Sequence, residues 1–412
     1  MKDQILSNIN NPGTLERLYR LNKTAFKRDF NAIYPGLKGS IIADFWNERL
    51  NYESELTSGS ARDLFFIIVT SLIAGTIAKF PAIFGIDEEF FYPRNIGFIV
   101  FPMLAAWFAW KNKLSTSKIA IIIIGILTGV VFINSLPAVP ESDTLILACI
   151  HLIIVLWRIL GFAFVEGKFE NSIKRLNFLK YNGDLLVISA LICIAGGIMT
   201  GIAIGLFSLI GISIEEFYFE YIVIFALPAV PILGTYLTQT NPQLVGKVSP
   251  VIARIFSPIV LVMLVIYLVA MVYSGKDPYN DREFLLIFNL LLIGVMAIIF
   301  FSVAGSSGTS KSKPELLILI LLSVVTILVN GIALSAILFR ISEWGITPNR
   351  IAVLGANLLI LIHLVMVTAQ LLKLTSKKAD IDGVGNQVAS YLPVYIIWAI
   401  IVTFIFPLIF GM

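Results

Sequence analysis

Three side chains could do chemistry inside the apolar segments of this chain: His151, Arg158 and His363. An ionisable group in a bilayer interior is costly and by default marks function. Each also has a plainer reading. His151 and His363 can hydrogen-bond a neighbouring helix. Arg158 stands beside Trp157, with Glu166 eight residues on, about 12 Å along a helix. It either snorkels toward the headgroups or makes a buried contact.

Motifs for covalent or metal chemistry are missing. The sequence holds no HExxH, no GxSxG, no Walker loop and no zinc-type cluster, so we expect no catalytic set, no metal and no cofactor. Cys149 and Cys193 both fall in apolar blocks without CxxC spacing, which reads as small core residues. The interiors of the apolar blocks carry no Asp or Glu. That absence counts against a proton- or sodium-coupled carrier, which usually places a carboxylate at mid-membrane.

Two other constellations could bind a ligand. Gly197, Gly201 and Gly205 recur every fourth residue, a spacing that lets two helices approach closely. The next block contains Pro228, Pro231 and Gly234, followed by Tyr236 and Gln239. Proline removes a donor and frees a carbonyl. A helix broken at mid-membrane beside a glycine face is one way transporters build a site; the plain alternative is a proline kink. The second constellation is a charged turn, Arg340-Ile341-Ser342-Glu343-Trp344-Gly345-Ile346-Thr347-Pro348-Asn349-Arg350. Gly345 suits a left-handed C-cap and Thr347-Pro348 a helix start. Arg350 in the first turn of a helix is disfavoured by the helix dipole. Glu343 is therefore expected to pair with Arg350 or Arg340, with Arg94 near the same face.

Long apolar blocks must position these residues. The 412 residues are 58% hydrophobic and 14% charged, where a soluble protein carries roughly 25% charged residues. Runs of about 18 or more apolar residues read as transmembrane helices. Eleven spans result: 64–86, 95–110, 118–137, 144–165, 185–212, 220–240, 248–274, 284–305, 315–340, 348–373 and 387–410. The fold class is thus all-α, a polytopic membrane protein in residues 61–412. The polar start MKDQILSNIN predicts an uncleaved first span. With the N-terminus inside, the inner loops carry 13 Lys and Arg and the outer loops 5. That bias predicts a cytoplasmic N-terminus and an outward C-terminus. The same alternation makes the net charge of +4 a topology signal, with no nucleic-acid partner implied.

Residues 1–60 are a separate polar region. Leu15, Leu18, Tyr19, Leu21, Phe26, Phe30 and Ile33 recur at helical spacing, and Ile41, Ile42, Phe45 and Trp46 mark a second apolar side. Asn11-Pro12 predicts a helix start and Tyr34-Pro35-Gly36 a break. Such amphipathic helices can pack on each other, on the bilayer or on a cytoplasmic partner.

The turn R-I-S-E-W-G-I-T-P-N-R resembles the signature of bacterial inner-membrane proteins grouped as domain-of-unknown-function family 4153. Phe90-Phe91-Tyr92-Pro93-Arg94-Asn95-Ile96-Gly97-Phe98 is similar to a second element of that group. The stretch from Leu15 to Leu50 resembles the cytoplasmic prefix of its Bacteroidetes members. Trp344, where the pattern has Tyr, and Ile351, where it has an aromatic, depart from it. The resemblance implies a bacterial inner membrane and supplies no activity. Two functions fit the sequence. The first expectation is a permease or channel-like protein for a small solute or lipid; the alternative is a non-transporting scaffold or complex subunit whose residues 1–60 dock a cytoplasmic partner.

Overall fold

Helices begin where short polar side chains meet an apolar run, and the first unit is built that way. The computed structural model describes residues 1–51, 60–139, 142–168, 171–209, 213–240, 257–262, 264–266, 268–269, 273, 279, 282–304, 313–375 and 381–411. Every regular element among them is helical. The chain divides into the units Met1–Gly59 and Ser60–Met412.

In the first unit, α1 (Lys2–Ser7) is followed by α2 (Pro12–Leu21), α3 (Lys23–Ile33) and α4 (Ile41–Asn51). Asn11 caps α2 by accepting the Thr14 N–H at 3.2 Å, with Pro12 at the first helical position. Asn22 caps α3 in the same way through Ala25. A short 3₁₀ turn at Tyr34–Gly36 ends α3. Ile5, Leu15, Leu18, Phe26, Phe30, Ala43, Trp46 and Leu50 close one core. The Phe26 and Trp46 rings meet at 5.1 Å. The Tyr34 hydroxyl donates to Asp44 at 2.9 Å, and this bond raises its pKa above the ordinary tyrosine value.

The second unit opens with α5 (Ala61–Ala78), started by a reciprocal cap between Ser60 and Asp63. Then come α6 (Phe80–Phe84), α7 (Glu88–Lys111), α8 (Thr116–Ser135), α9 (Asp143–Phe164) and α10 (Ser172–Leu209). A short α11 (Glu215–Phe217) passes through a π-helical stretch, Tyr218–Val223, into α12 (Ile224–Thr240). The rest are α13 (Arg282–Ala304), α14 (Lys313–Trp344), α15 (Pro348–Thr375), α16 (Ile381–Ile400) and α17 (Phe406–Phe410). Eight stretches among the described residues are long and apolar enough to cross a bilayer. The chain is therefore an integral membrane protein by its helices. These eight correspond to spans one, three, four, five, six, nine, ten and eleven of the sequence reading. Most of span seven lies outside the described residues.

Several helix ends differ from expectation. The second span was expected over 95–110, but α7 starts at Glu88, capped by Asp87, and runs through Pro93 and Pro102. At 1.5 Å per residue it is about 36 Å long, so the Phe90–Phe98 stretch is helix. The helix α10 begins at Ser172, well before 185. Lys174, Arg175 and Lys180 extend it as basic turns, which an apolar window does not include.

Two apolar cores hold the second unit together. One joins Ala74 and Ala78 of α5, Trp107 and Phe108 of α7, and Tyr181 of α10 to Ile232 of α12. The other joins Leu176 of α10, Ile299 of α13, Leu322 of α14 and Leu364 of α15 to Val388 of α16. The tightest approaches fall at Gly75 and Gly355. The Phe225 ring fills the space a side chain at Gly75 would need, and the Trp398 ring does so at Gly355. Gly201 has open space around it. Gly75→Ala and Gly355→Ala should therefore lower stability by about 1–3 kcal/mol, as overpacking does, while Gly201→Ala should not. Thermal unfolding of the purified protein in detergent checks this; three equal midpoints would refute the packing assignment.

Candidate functional site

The charged turn folds as a helix hairpin whose cations are satisfied without the expected carboxylate. Gly345 has φ 78° and donates its N–H to Ile341 O at 2.9 Å, closing α14. The Thr347 hydroxyl accepts the Arg350 N–H at 3.3 Å, and Pro348 opens α15. Arg350 Nη1 donates to the carbonyls of Trp344 at 2.8 Å and Gly345 at 2.6 Å. The Arg340 and Arg350 guanidinium groups lie 5.1 and 5.8 Å from the Trp344 ring centre. Glu343 is exposed and forms no ion pair among the described residues. The expected pairing is thus replaced by Arg350 turning back onto the carbonyl end of α14, where the dipole favours a cation. Arg94 joins none of these groups. Its Nη1 donates to Phe90 O at 3.2 Å and its Nη2 to Pro137 O at 3.3 Å.

The glycine and proline constellation also differs from expectation. Gly197 and Gly201 are exposed, with nothing within 4 Å of a side-chain position. The surroundings of Gly205 lie outside the described residues. The helix α12 is continuous through Pro228 and Pro231, so no gap opens in it. Its close approach to α10 is at Gly234, against Leu185, Ile188 and Ser189. The Thr235 hydroxyl donates to Pro231 O at 2.8 Å. Tyr236 lies against Trp107, ring centres 6.2 Å apart, away from α10. Spacing alone locates a glycine stripe but not the side of the bundle it faces.

What joins α10 and α12 is a buried polar seam. The Tyr181 hydroxyl meets Thr235 Oγ1 at 2.8 Å, and Thr238 donates to Thr235 O at 2.8 Å. Ser189 Oγ, beside Gly234, is buried without a hydrogen-bond partner among the described residues. Asp184 follows Tyr181 by three residues, almost one turn, is 7% exposed, and its Oδ1 also has no such partner. This carboxylate corrects the reading that no acid lies within a span. It stands one residue before the apolar block begins, and helix α10 carries it inside. Asp63 was missed for the same reason, but it is structural: it caps α5 and pairs with Lys111 at 2.7 Å. The signal for both was helical continuation past the apolar run. A buried carboxylate can hold a proton or a small cation.

The remaining ionisable groups read plainly. His151 Nδ1 meets Leu147 O on its own helix at 2.9 Å. His363 Nδ1 meets the Tyr395 hydroxyl on α16 at 3.0 Å, with its ring stacked on Tyr391 at 4.5 Å. Arg158 lines a cavity of about 30 Å³ with Arg175 and Trp157. Glu166 turns away from it, to Lys174 at 2.5 Å and Lys168 at 3.6 Å. The described residues contain no cluster of three or more His, Cys, Asp or Glu able to hold a metal.

Two outcomes follow. Asp184→Asn should insert normally and raise stability by on the order of 1 kcal/mol, since it removes an unpaired buried charge. A lowered unfolding midpoint would give Asp184 a structural partner instead. The second concerns pH. Lys174 beside Glu166 holds its carboxyl below the ordinary value of 4.5. The stabilisation is complete above that value and is lost as pH falls through the lowered one. Glu166→Gln should be less stable than the parent at neutral pH and equal to it in strong acid. A pH-independent difference would assign the loss to packing.

Comparisons with family models, curated proteins and solved structures return no match for this chain.

Proposed function

We propose that the chain is a non-transporting subunit of the bacterial inner membrane that docks a cytoplasmic partner through its N-terminal unit. The observation that carries this is the two-sidedness of α4. Ala43, Trp46 and Leu50 fill the core of the unit, while Ile41 and Phe45 are 87% and 61% exposed on its other side. An apolar pair at i, i+4 left outside a closed core fits a partner helix or groove. The inner-membrane location rests on the resemblance carried by Arg340–Arg350 and Phe90–Phe98. The orientation, and a total of eleven spans, rest on the 13-to-5 bias of Lys and Arg between alternate loops.

The permease reading takes second place. A solute path needed a helix interrupted at Pro228–Gly234 and facing Gly197 and Gly201, whereas α12 is continuous and those glycines face away from it. Asp184 is the observation in its favour, because a buried acid on α10 could couple a proton or cation to movement of that helix.

A photo-crosslinking residue at position 45 of the full-length chain, in cells, tests the first reading. It should give a discrete protein adduct that Ile41→Glu abolishes without preventing insertion. Adducts with lipid alone, or with the chain's own residues alone, would put the permease ahead. Reporter fusions at residue 377 and at the C-terminus should report cytoplasm and exterior. A cytoplasmic C-terminus would refute eleven spans.

A further inference from the structure

Among the described residues, Arg94 is a buried cation without an anion. It is 4% exposed, Nη1 and Nη2 each donate to a carbonyl, and Nε is buried with no partner among those residues. The Phe90 ring centre lies 4.1 Å from the guanidinium. No carboxylate among the described residues comes within 4.0 Å of it. Removing a charge from water without a counter-ion costs several kcal/mol, and an anion bound here would offset that cost.

The side chain lines a cleft of about 540 Å³ between the first turns of α7 and α9. The cleft is chemically graded. At its mouth stand two exposed acids, Asp87 and Glu89. Below them it is lined by Ile146, Ile150 and Ile153, a stripe along α9 that is at least 37% exposed at each residue. At 1.5 Å per residue this stripe runs about 10 Å down the helix. An acidic rim, an arginine and an outward apolar stripe occur in that order.

We propose that this cleft binds one phospholipid with a zwitterionic phosphoethanolamine headgroup. Its phosphate accepts from Arg94, its ammonium lies between Asp87 and Glu89, and one acyl chain follows Ile146, Ile150 and Ile153. The rim selects the headgroup. A purely anionic headgroup would meet Arg94 but would be repelled by the two acids, whereas phosphoethanolamine offers each charge its opposite. The apolar stripe selects a lipid over a soluble phosphate. The assignment is independent of the docking reading, since it uses only groups of the second unit.

Native mass spectrometry of the full-length protein, purified in detergent and supplied with dioleoyl phosphatidylethanolamine or dioleoyl phosphatidylglycerol, tests this. The wild type should retain the ethanolamine lipid in preference to the glycerol lipid. Arg94→Gln should lose retention by at least about tenfold, the scale of one charge-assisted phosphate contact. Asp87→Asn with Glu89→Gln, which keeps the α7 cap because Asn also accepts the N–H of residue 89, should keep retention but shift preference to the glycerol lipid. Equal retention by wild type and Arg94→Gln would overturn the site. A wild-type preference for the glycerol lipid, or an unchanged preference in the rim variant, would overturn the headgroup. Full displacement by soluble glycerophosphoethanolamine would overturn the acyl path. If Arg94→Gln fails to fold, the rim variant alone decides.

Discussion

A positive charge at the edge of a low-dielectric slab must be answered, and in this protein backbone carbonyls and aromatic faces answer most of them. Lys79 donates to Glu220 O at 3.1 Å and lies over the Tyr221 ring. Lys118 donates to Glu166 O at 2.7 Å. Arg350 takes the carbonyls of Trp344 and Gly345. Each of these acceptors belongs to a helix end, a π turn or a loop, where carbonyls are left over from the regular ladder. The arrangement satisfies two requirements at once: the leftover acceptor gains a donor, and the cation gains partial negative charge. Carboxylate pairing is kept for the ends of the bundle, at Asp63–Lys111 and Glu166–Lys174.

That constraint explains which parts of the fold were legible in the sequence. Local signals held. Asn11-Pro12, Tyr34-Pro35-Gly36, Gly345 and Thr347-Pro348 sit where caps and breaks were expected, because a cap needs only neighbouring residues. Apolar length gave the long helices for the same reason. Helix ends were less legible. A hydropathy window stops at the first charge, but a helix does not, and α10 continues through Lys180, Arg175 and Lys174 back to Ser172. The window therefore placed Asp63 and Asp184 in loops and hid the buried acid on α10.

Direction was illegible for a different reason. A glycine stripe has a face, yet the neighbour that face meets is set by helices far away in the chain. Gly197 and Gly201 look outward, while the close approach of α10 and α12 uses Gly234, whose neighbours are larger side chains. Pairing preference is equally non-local. Glu343 was the nearest acid in sequence to Arg350, but the arginine reaches carbonyls of Trp344 and Gly345 within the same hairpin, at less entropic cost than recruiting a mobile, exposed carboxylate.

The same logic separates the buried charges that are finished from those that are not. Lys79, Lys118 and Arg350 lie near helix ends or turns, where water can complete their shells. Among the described residues, Arg94 is buried more deeply and still has an N–H without an acceptor; Asp184 is buried and has an oxygen without a donor. A protein that answers its other boundary charges so consistently has the means to answer these two, through a shifted rotamer or a nearby carbonyl. Leaving them open costs stability in the resting chain. Such a cost is characteristic of positions kept for something other than folding, and the two lie in different places: Arg94 in a cleft between α7 and α9, Asp184 on α10, three residues after Tyr181.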